Sequence, residues 1–311
     1  TLDRSSAASD VYKRQIINCI HVYSVKYVLV GIVNTKGGAD MKKIETSNQI
    51  KIAYQDAGTG IPVILIHGLD GNLAGFYSLK KELKKHYRVI VYDVRGHGKS
   101  THPMSYNLND HIKDLTMLMR QLGIKSAHLL GHDMGGMIAQ AFTEKYKDKV
   151  RSLTIISSKS EDIVHGFTKL MIEHQDKVAG FNKSEALLIL FPYIYKKNDV
   201  AMKWFQRQRL YSKQDDEDSA VASRALLDTE NQSNTVTHEI NVPTMIVDGR
   251  YDPIIINKEN QQFENQFKNI NYVLFNESGH APHIEEEEKF LTLYLNFVEK
   301  NDASNTTNLL I

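Results

Sequence analysis

The sequence is poor in cysteine and in unbalanced charge: its 311 residues include only one cysteine, Cys19, and carry a net charge of +1. A single cysteine cannot form a disulfide within one chain, which fits a reducing compartment, and we expect a cytoplasmic protein. The balanced charge gives no electrostatic basis for binding nucleic acid or an acidic membrane surface. No metal-ligand cluster, nucleotide loop or flavin motif is evident, so we expect neither metal nor cofactor.

The first forty residues contain no convincing targeting segment. Residues 16–33 are fairly apolar, but polar and charged residues interrupt them, and no Ala-x-Ala-like cleavage site precedes Met41. Residues 5–15 resemble a translated sequencing-adapter artefact, and codons for residues 36–38 can form a bacterial ribosome-binding site ahead of Met41. We therefore expect residues 1–40 to be non-native read-through or disordered.

From Met41 onward, strand-like and helix-like segments alternate, which predicts an α/β fold with a mostly parallel, eight-stranded type of sheet and helices on both faces. Residues 50–54 alternate between apolar and polar, as an antiparallel edge strand does. Short continuous apolar runs, typical of strands buried on both sides, occupy residues 62–66, 88–92, 127–130, 153–156, 244–247 and 272–275. Helical periodicity fills residues 109–122, 137–146 and 290–298.

This alternation breaks between residues 160 and 240, a stretch too long for a simple connection. The stretch is helix-like, charged and rich in aromatic residues, and we interpret it as an inserted helical cap on a core of residues 41–159 and 241–300. Residues 301–311 are polar and predicted to be a frayed tail. Four aromatic residues of the cap are candidates to line a substrate site or simply to pack: Tyr193, Tyr195, Trp204 and Tyr211.

The segment from Gly131 to Gly136 joins a predicted strand to a predicted helix through a glycine-flanked turn centred on Asp133. Glycines are needed there because the central residue of such a turn has a strained backbone, and a flanking side chain would clash. The turn raises the Asp133 side chain above the sheet and directs the amides of the next helix towards it. Those amides favour negative charge.

Four other motifs follow strand ends in a consistent order. They are His67-Gly68-Leu69-Asp70-Gly71, the D-x-R-G-x-G-x-S turn at residues 93–100, Gly249-Arg250-Tyr251-Asp252, and Ser278-Gly279-His280. Together with the turn at Asp133, they resemble the α/β-hydrolase family over about residues 41–300. The resemblance implies that Asp133 is the nucleophile, Asp252 the triad acid and His280 the triad histidine, with Leu69 and Met134 supplying the oxyanion-hole amides.

Neighbouring residues have simpler interpretations. Asp248 is a second possible acid, but at a strand end its side chain is expected to point elsewhere, and Asp252 could be an ordinary turn aspartate. His67 is expected to shape the oxyanion loop, and His283 to support the loop around His280. Arg95 and His97 are expected to be structural turn residues.

An aspartate at this turn suggests a particular chemistry, because a carboxylate is charged at neutral pH and attacks saturated carbon to give an alkyl ester. Epoxide hydrolases and haloalkane or haloacid dehalogenases of the family resemble that scheme. Leu69-Asp70 departs from the H-G-x-P of epoxide hydrolases, and Met134 replaces the tryptophan or arginine that dehalogenases place after the aspartate. The His67–Gly71 loop looks more like that of esterases, enol-lactonases and C–C hydrolases.

Three hypotheses follow. The first is a hydrolase that acts on a small apolar epoxide or organohalide through Asp133. The second is an ester or lactone hydrolase, or a cofactor-free enzyme of the same fold, in which Asp133 is a base or a fixed charge. The third is a non-catalytic binder that uses the cavity under the cap. In each case the expected partner is a small molecule, and the chain is expected to be a monomer or a homodimer.

Overall fold

The computed structural model describes residues 41–47, 49–159, 163–212, 214–230, 239–255 and 266–307. The chain divides into two units, residues 1–41 and residues 42–311, and the strands and helices described below lie in the second. The expectation for residues 1–40 lies outside the described residues. Within the described ranges, no helix combines the length and the apolarity that a membrane crossing requires.

Eight strands form one sheet, and six of its seven neighbouring pairs involve the predicted buried runs. The strands are β1 (Lys42–Ser47), β2 (Ile50–Ala57), β3 (Pro62–Ile66), β4 (Arg88–Tyr92), β5 (Ala127–His132), β6 (Val150–Ile156), β7 (Thr244–Gly249) and β8 (Ile270–Phe275). Their order across the sheet is β1-β2-β4-β3-β5-β6-β7-β8. Strand β2 pairs antiparallel with β1 and β4, and the other pairs are parallel. The predicted α/β class with a mostly parallel eight-stranded sheet is confirmed.

The edge of the sheet differs from the prediction. Residues 50–54 do lie in an antiparallel strand, but β1 covers that strand, so β1 and not β2 is the edge. Only Thr46 of β1 is buried, and the strand reads as Lys-Lys-Ile-Glu-Thr-Ser. A strand with so few apolar residues shows no clear pattern of strand formation, so the sequence does not predict β1.

The centre of the sheet is covered on both faces. Successive side chains of a strand point to opposite faces, and Leu129 and Leu130 of β5 are both fully buried. The helices of the core are α1 (Tyr77–Leu83), α2 (Leu108–Gln121), α3 (Met134–Lys145), α9 (Pro282–Glu285) and α10 (Glu287–Thr307). Helix α2 starts at a capping box between Asn107 and Asp110 and is followed by Gly123 at a φ of +68°, close to its predicted limits.

Further helices stand between β6 and β7, where the sequence predicts a cap. They are α4 (Ile163–Glu173), α5 (Gln175–Val178), α6 (Lys183–Ile194), α7 (Asn198–Tyr211) and α8 (Asp216–Glu230). Phe191 and Ile194 of α6 belong to an apolar cluster that also contains Ile254 and Ala281 of the core. This inserted segment, called the cap from here on, is therefore seated on the carboxyl side of the sheet through shared apolar packing.

The predicted tail starts inside a helix. Helix α10 extends to Thr307, whereas the sequence predicts helix only for residues 290–298 and a frayed end from residue 301. Asp302 accepts a hydrogen bond from His128 Nε2 at 3.0 Å and lies 3.2 Å from the Arg151 guanidinium. These long-range contacts hold a polar segment whose own sequence shows no apolar stripe.

Candidate active site

The turn between β5 and α3 places Asp133 in a strained backbone conformation, with φ of 53° and ψ of −124°. The surrounding backbone leaves no room for side chains at the flanking positions. A Cβ atom on Gly131 would lie 2.1 Å from the Gly135 carbonyl oxygen, and one on Gly135 would lie 2.1 Å from the Ile66 carbonyl oxygen. A non-glycine residue with positive φ is costly to hold, and its persistence here points to a functional position.

His280 connects two carboxylates. Its Nδ1 donates to Asp252 Oδ2 at 2.9 Å, and its Nε2 lies 3.5 Å from Asp133 Oδ1. The other oxygen of Asp252 accepts hydrogen bonds from the backbone N–H groups of Ile254 at 2.8 Å and Ile255 at 3.3 Å. The structure thus brings together the three side chains that the sequence predicts as nucleophile, histidine and acid, although they come from three separate strand ends.

The alternative acid is directed elsewhere. Asp248 Oδ2 accepts a hydrogen bond from the Tyr272 hydroxyl at 3.2 Å, and the described contacts do not place it near His280.

Both predicted oxyanion-hole amides contact Asp133 itself. The Leu69 N–H donates to Asp133 Oδ2 at 2.7 Å, and the Met134 N–H also binds this carboxylate. Gly68 permits the close approach, because a Cβ atom at that position would lie 2.7 Å from Asp133 Oδ2. Oδ2 of the carboxylate is therefore held by the Leu69 amide, while Oδ1 faces His280.

The charges of the site stabilise one another. Burial by itself raises the pKa of Asp133, but the hydrogen bond and positive charge of His280 outweigh burial and lower this pKa below its usual value. The pKa of Asp252 is lowered in the same way. Burial lowers the pKa of His280, yet the two carboxylates overcome it and raise the pKa to about 10. At neutral pH the site therefore contains an imidazolium between two carboxylates.

Three neutral histidines support this arrangement. His132 is buried, which lowers its pKa to about 4, and its Nε2 donates to the His280 carbonyl oxygen at 2.9 Å. His283 packs against His132 with ring centroids 4.6 Å apart. His67 accepts a hydrogen bond from the Val94 N–H at 3.1 Å, and burial lowers its pKa to about 3. His132 was not among the residues predicted from the sequence, because the position before the nucleophile carries no motif of its own.

Side chains of the turn after β4 form hydrogen bonds that stabilise this part of the structure. Arg95 makes two hydrogen bonds to the buried Asp114 carboxylate, at 2.6 and 2.7 Å. His97 Nε2 accepts from the Asp70 N–H at 3.3 Å. Both side chains stabilise loops next to the site and lie outside the lining of the cavity described next.

A cavity of about 380 Å³ lies between Asp133 and the cap, within the usual range for small-molecule sites. Its walls are largely apolar and include Phe167, Met171, Leu187, Ile194, Trp204 and Phe205. Of the four aromatic cap residues predicted to bind substrate, Tyr195 and Trp204 line this cavity.

The other two predicted aromatic residues lie elsewhere, which corrects the prediction for them. Tyr193 is 41% exposed, and its ring lies on His174 with centroids 4.0 Å apart. The Tyr211 hydroxyl donates to Asp93 Oδ2 at 2.8 Å, so this residue fastens the cap to the turn after β4. The pattern of apolar residues along the cap does not indicate which of its aromatic side chains face the cavity.

Polar cap residues that carry no motif also reach the cavity. Lys183 at the start of α6 lies 3.1 Å from Asp70 Oδ2, and both residues are in the lining. Gln208 of α7 lines the cavity as well and binds the loop after β3 through Asn72. Among the described residues, no group of three or more His, Cys, Asp and Glu side chains is arranged to hold a metal ion.

Comparison with known proteins agrees with this geometry. Residues 61–181 match the family model described as the alpha/beta hydrolase fold. The chain is 24% identical to Lipase 3 of Moraxella sp. (strain TA144), over 81% of this chain and 82% of that protein. An esterase from Thermogutta terrifontis superposes with a TM-score of 0.69 at 24% identity, covering 85% of this chain and 99% of the esterase. The enol-lactonase from Burkholderia xenovorans LB400 gives a TM-score of 0.66 at 21% identity, with 83% and 100% covered.

The sheet order, the turn at Asp133 and the match over residues 61–181 together show that this chain has the alpha/beta hydrolase fold. Relatives named as lipases, esterases and hydrolases support a hydrolase enzyme without specifying its subclass.

Proposed function

We propose that Asp133 is a covalent nucleophile that attacks a saturated carbon of a small apolar epoxide or organohalide. The observation that carries this proposal is the orientation of the Asp133 carboxylate. Oδ2 accepts a hydrogen bond from the Leu69 amide, and Oδ1, 3.5 Å from His280 Nε2, is the oxygen we assign to the attack. The largely apolar cavity above it suits a substrate with little charge.

In the first step, Asp133 Oδ1 forms a bond to the substrate carbon. The carbon–halogen or carbon–oxygen bond breaks, and its electron pair leaves with the halide or with the epoxide oxygen. The product is an alkyl ester of Asp133, and no base is needed to activate the attacking group because the carboxylate is already ionised. The pKa of Asp133, lowered by His280, keeps it ionised at neutral pH.

In the second step, water hydrolyses this ester. Esterification removes the negative charge of Asp133, which is one of the causes that raise the pKa of His280 to about 10. The pKa of His280 then falls, and the imidazolium releases its proton to solvent. The neutral imidazole takes a proton from a second water, whose oxygen attacks the Asp133 carboxyl carbon. The resulting oxyanion forms on Oδ2, to which the Leu69 amide already donates, and the Met134 amide, which also binds this carboxylate, adds to its stabilisation. The Oδ1 bond to the carboxyl carbon breaks, and the alcohol leaves with the proton from His280.

The same contacts disfavour acyl transfer by the usual route of the family. An ester substrate needs the two amides for its own carbonyl oxygen, but the Leu69 amide already donates to Asp133 Oδ2 at 2.7 Å. Attack of a carboxylate on an ester would also give a mixed anhydride, a poor intermediate. Transfer of an oxygen atom from water to the Asp133 carboxylate is therefore expected if an alkyl ester forms there, and not if the enzyme transfers an acyl group.

A single turnover in heavy-oxygen water tests the proposal. With enzyme in excess over an epoxide or alkyl halide, we expect mass spectrometry of the peptide containing Asp133 to show incorporation of one heavy oxygen. Turnover without label in this peptide would exclude the covalent ester. The matched control is Asp133→Asn, whose neutral amide cannot form the alkyl ester and should therefore take up no heavy oxygen.

A second candidate is an ester or lactone hydrolase in which Asp133 is a base or a fixed charge. The relatives named as lipase, esterase and enol-lactonase favour it, as does the His67–Gly71 loop. A panel of p-nitrophenyl esters, measured on the wild type and on Asp133→Ser, separates the candidates. Ester turnover in the wild type without labelling of Asp133 would favour the second candidate, whereas activity that appears only in Asp133→Ser would favour the first.

A further inference from the structure

The buried carboxylate of Glu285 accepts four backbone hydrogen bonds from two separate parts of the chain. Its Oε1 accepts from the Gly279 N–H at 3.0 Å and from the Ala281 N–H at 3.2 Å. Its Oε2 accepts from the N–H groups of Lys196 at 2.7 Å and Lys197 at 2.8 Å. Glu285 is only 4% exposed, and a carboxylate is purely an acceptor, so this one side chain joins two segments of backbone.

One of these segments carries the triad histidine, and the other belongs to the cap. The residues on either side of His280 donate to Oε1, whereas residues of the connection between α6 and α7 donate to Oε2. Glu285 itself lies in α9 and outside the lining of the cavity. Any effect of Glu285 on a reaction in the cavity must therefore be transmitted through His280 or through the cap.

The backbone of His280 is held directly by the cap as well. Its N–H donates to the carbonyl oxygen of Ile194, the last residue of α6, at 3.0 Å. Its carbonyl oxygen accepts from His132 Nε2 at 2.9 Å. Gly279 permits this close approach, because a Cβ atom there would lie 2.3 Å from the Ile194 carbonyl oxygen. The three N–H groups of residues 279–281 thus all donate either to the cap or to the carboxylate that binds it.

The imidazole of His280 depends on this backbone support because it has partners on both sides of the ring. Nδ1 lies 2.9 Å from Asp252 Oδ2, and Nε2 lies 3.5 Å from Asp133 Oδ1. A movement of the loop changes both distances at once. A misplacement of a reacting group by about 1 Å can cost about 10²-fold in rate.

We propose that Glu285 is a positioning residue that couples the cap to His280, with the cap holding Oε2 and the triad-histidine loop held by Oε1. The inference rests on the proposed function in one respect, namely that His280 activates water in the second step. The first step uses the ionised carboxylate of Asp133 and no base. Glu285 is therefore needed for hydrolysis of the ester and not for its formation.

Glu285→Gln tests this coupling with little change in side-chain volume. The variant side chain has one acceptor oxygen and one NH₂ group, and the NH₂ group cannot accept from backbone N–H donors. The bonds from the cap are the shorter pair, so we expect the oxygen to stay with the cap and the NH₂ group to face the loop at residues 279–281. Glu288→Gln, the same substitution at an exposed position of α10, is the matched control.

A second variant disturbs the cap side of the coupling and leaves Glu285 in place. Lys197 is exposed, and Lys197→Pro removes one of the two N–H groups that bind Oε2. Asn198→Pro, one residue later, is the matched control. Proline is tolerated at the first position of a helix, where the N–H has no partner within the helix, and α7 begins at Asn198.

Two measurements follow the two steps and the histidine separately. Intact-protein mass spectrometry after rapid quenching, with hexyl chloride as the probe, distinguishes formation of the Asp133 ester from its hydrolysis. NMR of the ligand-free protein against pH follows the imidazole of His280. Burial lowers the pKa of this imidazole, and the carboxylates of Asp252 and Asp133 outweigh burial and raise it to about 10, so the pKa reports their contact with the ring.

We expect Glu285→Gln to form the ester at the wild-type rate and to hydrolyse it about 10²-fold more slowly. The pKa of His280 should fall, because the ring moves away from one or both carboxylates. Lys197→Pro should show the same changes to a smaller extent, since one of its two bonds to Oε2 remains. Both control variants should match the wild type in ester formation, ester hydrolysis and the pKa of His280.

Three results would overturn the inference. A lower melting temperature with unchanged ester hydrolysis and an unchanged pKa of His280 would mean that Glu285 only stabilises the fold. Equal slowing of both steps would mean that the whole site has moved. An effect of Glu285→Gln without any effect of Lys197→Pro would mean that the carboxylate supports His280 independently of the cap. If the wild type forms no ester, the proposed function fails, and the NMR titration still decides the role of Glu285.

Discussion

The two walls of the cavity differ in how their polar atoms are used. On the core wall, Asp133 and His280 are held by each other, by Asp252 behind His280 and by backbone amides, so their positions are determined before any ligand binds. On the cap wall, apolar side chains predominate, and two donors, on Tyr195 and Gln208, have no described acceptor. Groups held in place before the reaction, as on the core wall, can stabilise charge that develops in the transition state. A few hydrogen-bond donors in a largely apolar surface, as on the cap wall, can determine which ligand binds.

This difference predicts that substitutions in the core wall abolish chemical steps, while substitutions in the cap wall change rates for particular substrates. Asp133→Asn should have the largest effect, with substrate turnover reduced about 10⁴-fold or more, because a neutral amide cannot form the ester. The initial rate of halide release from an alkyl halide measures it. Substantial residual turnover would show that Asp133 is not the nucleophile.

The titration of His280 provides the control for that variant. The wild-type pKa of His280 is raised to about 10 by Asp252 and Asp133 together. Asp133→Asn removes one of these carboxylates, so the pKa of His280 should fall while its hydrogen bond to Asp252 remains. Imidazole signals followed by NMR against pH would show both, and an unchanged pKa would mean that Asp133 and His280 do not interact in solution.

His280→Gln should have the next largest effect and a different signature. The first step does not use His280 as a base, so the ester should form, but its hydrolysis should slow about 10³-fold. Mass spectrometry should then show the alkylated protein accumulating after one turnover. Loss of ester formation itself would indicate that the imidazolium also assists the first step.

The difference between the walls also explains what the sequence could predict. Asp133, His280 and Asp252 follow strand ends, and strand ends are readable because buried parallel strands are continuous apolar runs. The glycines around Asp133 identify the turn in the sequence, because the backbone packs too closely there for any side chain. Fold class and core-wall positions could therefore be predicted from local patterns.

The cap wall could not be predicted in this way. Tyr193 and Tyr195 are two positions apart, yet one is exposed and the other lines the cavity, because α6 ends at Ile194 between them. The role of Gln208 depends on Asn72, which is 136 residues away along the chain. Contacts at such a distance leave no local pattern, and substrate class, cellular location and oligomeric state likewise stay predictions.

Gly68→Ala tests whether the core wall of the cavity is rigid. The added Cβ atom would be 2.7 Å from Asp133 Oδ2, so either the carboxylate or the loop that carries Leu69 must move. A misplacement of the reacting group by about 1 Å can cost about 10²-fold in rate. We expect kcat to fall for every substrate tested, with melting temperature as the check on folding. A loss confined to one substrate class would contradict a fixed core wall.

Tyr195→Phe should have the smallest effect and should depend on the substrate. It removes the hydroxyl of a residue that lines the cavity and leaves the ring packed against Phe191, so the loss of one hydrogen bond to a charged leaving atom should cost about tenfold in ester formation. Tyr193→Phe is the matched control, since its hydroxyl belongs to an exposed residue away from the cavity. Equal losses in both variants would mean that the tyrosines act through stability of the cap. A loss specific to Tyr195 and larger for an epoxide than for an alkyl iodide would show that the cap wall selects by the charge on the leaving atom, because an alkoxide needs more stabilisation than iodide.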